Sequence, residues 1–149
     1  MLYVFRKNVF TLFLKKQEMT SRVDNLIYLL KTLYSGGLSF SELHSIIKIS
    51  TRLAEIITRS RYSNIFPRTV FHGITIQEII TDSITPLFTS VLGSNDIPLR
   101  KALLNWDENI QNEESAYFFL SQIISNRIEQ EISKKLKEAD LSSVRFNCR

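Results

Sequence analysis

Cysteine is nearly missing from this chain of 149 residues, which has only Cys148. No internal disulfide and no cysteine-based metal site can form, which suits a reducing cytoplasm. Histidine is almost as scarce: His44 and His72 stand far apart, so the His/Cys clusters that zinc needs do not occur. Four glycines and three prolines leave little turn material for a many-stranded sheet. Long apolar runs are missing too. The run from Val9 to Leu14 is far too short to span a bilayer, and the start of the chain lacks the small-residue cleavage site of a secretory signal.

What remains is helical period. Apolar content of 44% and charged content of 23% are those of a globular chain, and the length suits one domain. The expected fold is all-α, a compact multi-helix bundle. Residues 1–18, aromatic and basic (Tyr3, Phe5, Phe10, Phe13; Arg6, Lys7, Lys15, Lys16), read as an extension, with a single helical domain over 19–149. An interfacial membrane helix is the less favoured reading of that extension, and no membrane partner is expected.

In chain order, Val23, Leu26, Ile27, Leu30, Leu33 and Tyr34 form a helical stripe that Gly36 ends. Ser39-Phe40-Ser41-Glu42 has the spacing of a capping box and opens a second helix with Leu43, Ile46, Ile47, Leu53, Ile56 and Ile57 on one side. Thr75-Ile76-Gln77-Glu78 opens a third, where Pro86 predicts a break near Thr85. A short segment, Pro98 to Trp106, and a polar linker, Asp107 to Asn112, lead to a long helix beginning with Glu113 and Glu114. Its strongest part, Ser115 to Leu136, contains no Gly or Pro and carries Leu120, Ile123, Ile124, Ile128, Ile132 and Leu136 at helical spacing. Lys134, Lys135 and Lys137 collect near its end, where the helix dipole favours cations. Tyr117, Phe118 and Phe119 stand in a row. Neighbours on a helix are about 100° apart, so either the three rings pack against different neighbouring helices or at least one is at the surface or in a groove.

Catalytic motifs do not occur. There is no Gly-rich phosphate loop, no GxSxG and no HExxH, and Glu113, Glu114, Glu129 and Glu131 read as solvated. The chain is expected not to be an enzyme and to hold neither metal nor cofactor. Charge is uneven: residues 1–72 hold eleven Lys/Arg against four Asp/Glu, and the remainder eight against eleven. A basic half suits an anionic partner, although no run of five basic residues appears.

Three segments, in order, resemble the promoter-binding region 2 of bacterial sigma factors. They are Leu29 to Leu43 with its Tyr34-Ser35-Gly36-Gly37 centre, Ile74 to Phe88, and Phe118 to Ile128. The likeness extends over about residues 26–140. It implies two partners, the RNA polymerase core and promoter DNA. The family's acidic helix docks on the polymerase, which puts Gln77, Glu78, Thr81 and Asp82 in that role. Its aromatic wedge and base-reading residues correspond to Phe118, Phe119, Gln122, Ser125, Asn126 and Arg127, since rings stack on unpaired bases and amides suit base edges.

Departures from the pattern are also visible. Phe stands at both wedge positions where the family has Trp, and Pro86 falls inside the docking helix. Residues 113–139 hold five acids against four bases, whereas phosphate contacts favour a basic excess. The family's second, helix-turn-helix domain does not follow Arg149 in this sequence. The other expectation is a helical protein–protein interaction module without a nucleic-acid role.

Overall fold

The computed structural model describes residues 25–64, 74–90 and 96–147, with side chains up to Glu138. The extension at residues 1–18, His72 and Cys148 lie outside the described residues. Five helices are described, and the fold is all-α: α1 (Leu26–Ser35), α2 (Phe40–Tyr62), α3 (Ile76–Phe88), α4 (Pro98–Leu104) and α5 (Glu113–Asn147). Among the described residues no helix is long and apolar enough to cross a membrane.

The local reasons for these boundaries are short-range. Asn25 caps α1 by accepting from the Ile27 amide at 3.2 Å, and the helix ends at Gly36, whose φ of 83° is the left-handed conformation that glycine tolerates. At the start of α2 the capping box is complete: Ser39 Oγ accepts from Glu42 N at 3.2 Å, and Glu42 Oε1 from Ser39 N at 3.0 Å. Thr75 caps α3 through the Glu78 amide at 3.1 Å. Asn112 Oδ1 accepts from Ser115 N at 2.9 Å as α5 begins.

The helix α5 is the spine: α1, α2 and α3 all pack against it, and α2 and α3 pack against each other. Its inward residues Ala116, Tyr117, Phe119, Leu120, Ile124, Ile128 and Ile132 meet Leu26, Leu29, Leu30, Ile46, Leu53, Ile57, Ile79, Ile80 and Ile84 in one core. Each buried Leu or Ile contributes roughly 1.5–3 kcal/mol of transfer free energy.

Two expectations need correction. The third helix does not break at Thr85 but runs through Pro86 to Phe88. Proline lacks the N–H that would reach the Asp82 carbonyl one turn back, and Arg127 of α5 supplies a donor there instead, Nη2 to Asp82 O at 3.4 Å. The lysines of the last helix do not sit at its end either, because α5 continues to Asn147.

Candidate functional site

The apolar stripe of α3 fixes which of its residues face outward. Ile79, Ile80, Ser83, Ile84 and Leu87 are buried, so the residues between them at positions 77, 78, 81 and 82 turn to solvent. Gln77, Glu78, Thr81 and Asp82 are all exposed. Glu78 lies in the first turn, where the positive pole of the dipole favours an anion. Asp82 is engaged within the molecule. Its carboxylate meets Lys135 Nζ at 3.0 Å. That hydrogen bond is the main reason the Lys135 ammonium is held above its usual range; partial burial opposes it, and the charges of Asp82, Glu131 and Glu138 add to it.

The six residues expected at a DNA face do not form one surface. At about 100° per residue, Gln122 and Ser125 lie within 40° of Phe118 around α5, Phe119 lies 100° away, and Arg127 lies on the opposite side. Phe118 is half-buried and Phe119 is fully buried, at 0% exposure. Trp106 covers both rings, edge-on to Phe119 at 5.1 Å between centroids and tilted to Phe118 at 6.1 Å. The expectation of a ring at the surface or in a groove therefore falls on Phe118. Phe119 is corrected to a core residue: a ring sealed between Trp106 and the core has no face to offer a base.

Gln122 is half-buried and donates to the exposed Asn126, Nε2 to Oδ1 at 3.3 Å. Ser125 is half-buried. Arg127 turns toward α3. It donates to Gln130 Oε1 at 2.8 Å and Glu131 Oε1 at 3.0 Å, with longer contacts to the carbonyls of Ser83 and Asp82 at 3.4 Å. Its charge is matched by Glu131 and its donors tie two helices together.

Sequence reasoning missed three side chains that organise these faces. Glu113 is not merely solvated: its Oε1 accepts from the Ile27 amide at 2.7 Å and adds a second cap to α1. Arg100 closes the other end of α1 through the carbonyls of Leu33 and Tyr34, both at 3.1 Å, while paired with Asp96 at 2.8 Å. Lys135, read as a dipole-favoured cation, is the partner of Asp82. Only Lys135 left a trace in the sequence, since helical spacing puts it on the same side of α5 as Arg127 and Glu131.

Among the described residues no group of His, Cys, Asp and Glu is arranged to hold a metal ion. Comparison with family models, curated proteins and solved structures gave no match. The likeness to sigma region 2 thus rests on three segments and their order. In this fold the second and third of those segments lie on α3 and α5, which pack side by side.

Proposed function

We propose that this chain is a helical docking module that binds the RNA polymerase core through the outward face of α3, acting in transcription initiation in the cytoplasm, as the resemblance to sigma region 2 implies. One observation carries this reading. All four positions that correspond to the family's docking face are exposed together, while the opposite side of the same helix is anchored in the core. Such a face presents amide, carboxylate and hydroxyl groups on a rigid element, which suits a basic protein surface.

Contact with promoter DNA is the weaker half of the reading. Half-exposed Phe118 and Gln122 favour it, but buried Phe119 and engaged Arg127 leave a reduced set. These two observations favour the second reading, a helical protein–protein interaction module with no nucleic-acid role.

The test is capture of RNA polymerase core by the full chain, comparing wild type with Glu78→Lys. Glu78 has no ion pair among the described residues, so its reversal leaves the bundle intact, whereas reversing Asp82 would also break the pair with Lys135. Binding by wild type and its loss in Glu78→Lys supports docking. Absence of binding by wild type removes the polymerase and leaves the second reading.

A further inference from the structure

We propose that the outward ridge of α2 between Phe40 and Arg52 is a docking surface for an acidic amphipathic helix of a partner protein. Phe40 is 87% exposed, more than any other large apolar side chain among the described residues. It stands at the first position of α2, and the capping box of Ser39 and Glu42 fixes the backbone that carries it. Measured from Phe40 at about 100° per residue, Ile47 lies about 20° and Leu43 about 60° to one side. Both are half-buried, and Leu43 rests on the core. The three make an apolar line about 10 Å long at 1.5 Å per residue. Their spacing, i, i+3 and i+7, is that of one seam in a helix pair.

Cations flank the other side of that line. His44, Lys48 and Arg52 follow at about 40°, 80° and 120° from Phe40, and all three are exposed. Among the described residues neither Lys48 nor Arg52 enters an ion pair. The two acids of α2 do not neutralise them. Glu42 is turned back to the Ser39 amide in the capping box, and Glu55 is held by Arg59 at 3.2 Å. An apolar seam with a flank of one sign selects the occupant, since seam residues supply contact and flanking charges choose the partner. The complement is a helix with apolar residues at heptad spacing and Asp or Glu facing Lys48 and Arg52. A phosphate backbone would engage the cations and leave Phe40 in water, whereas such a helix answers both halves of the surface. The ridge is separate from the outward face of α3 and does not depend on that face binding polymerase.

The test uses the full chain and a fluorescein-labelled peptide about three heptads long, with Leu at a and d and Glu at e and g, whose glutamates oppose self-pairing. Its anisotropy should rise saturably with the wild-type chain. Phe40→Ser should weaken binding about tenfold, as loss of an apolar anchor does, and Lys48→Glu/Arg52→Glu should weaken it at least as much. Helical circular dichroism should be unchanged in both, because all three side chains are exposed. The same peptide with Lys in place of Glu should bind the charge-reversed variant more tightly than wild type, a rescue that an unfolded variant cannot give. No saturable binding of the Glu peptide by wild type overturns the proposal. Binding that is weakened by Lys48→Glu/Arg52→Glu but not by Phe40→Ser overturns it in favour of a surface for extended polyanions. A wild-type chain that sediments as a dimer, and as a monomer after Phe40→Ser, overturns it in favour of a second copy on the ridge.

Discussion

Phe118 and Phe119 are adjacent in the chain and have unlike surroundings. Phe119 is enclosed by the core with Trp106 edge-on, while Phe118 keeps part of its ring outside. Phe119→Ala should cost about 3–5 kcal/mol, the range for a large ring removed from a packed interior. Phe118→Ala should cost about half as much or less, because area already in water is not lost. Urea unfolding of the two variants checks the order, and equal costs would show that Phe118 is as enclosed as its neighbour. Helical geometry made one outward ring legible, but not which one, because α5 is buried on several sides by α1, α2 and α3. The separation of Arg127 from Phe118 was already present in the 100° step. Pro86 and Arg127 form a second residue-scale device: the proline leaves the Asp82 carbonyl without its helical donor, and the guanidinium reaches it. Arg127→Lys should cost about 1–2 kcal/mol, since an ammonium cannot span the fork of acceptors. Placed on Pro86→Ala, where the backbone donor is restored, the same substitution should cost less. A double-mutant cycle reads the difference, and strict additivity would separate the two residues.

At the scale of elements, three helix ends were legible from local chemistry, while the equally local caps Asn25 and Asn112 were not read. Gly36, Ser39 with Glu42, and Thr75 all end or begin helices where their local chemistry says they should. Caps supplied by distant elements were not. Glu113 lies 86 residues from Ile27, and no periodicity connects them. With only ten residues, α1 is too short to persist alone, so Glu113 and Arg100 matter to it more than its own composition does. The capping box of α2 also has a pH signature. The backbone N–H of Ser39, then its hydroxyl and that of Tyr28, hold the Glu42 carboxyl below the usual carboxylate range against a small opposing effect of burial. A depressed folded pKa means that the stabilisation is present above the unfolded value of about 4.3 and is lost as pH falls through the lower folded value. The Ser39 amide resonance, followed by NMR from pH 6 downward, should shift with a midpoint below 4.3, and Glu42→Gln should abolish that step. A midpoint at the ordinary value would mean that the box is open in solution.

For the whole molecule, the distribution of charge decides which part meets an anion. The described residues hold 12 Lys/Arg and 13 Asp/Glu, so the chain's excess of +4 comes from the other residues, which hold seven bases against two acids. Within the bundle acids outnumber bases by one, and four of the bases are held in ion pairs: Arg59 with Glu55, Arg100 with Asp96, Arg127 with Glu131 and Lys135 with Asp82. An anionic polymer responds to unmatched cations, and its counterion release scales with their number. Retention of the full chain on immobilised heparin should therefore depend on Arg6, Lys7, Lys15 and Lys16. Replacing all four with Gln should lower the eluting salt concentration markedly. Replacing Lys134 and Lys137 of α5 should lower it only slightly, because Glu129, Glu131 and Glu138 share that stretch of the helix. The opposite ranking would place an anion-binding surface on α5 and revive the nucleic-acid reading. The ranking expected here keeps anion binding off the last helix and assigns it to the cations of residues 1–18, where four bases stand against a single acid.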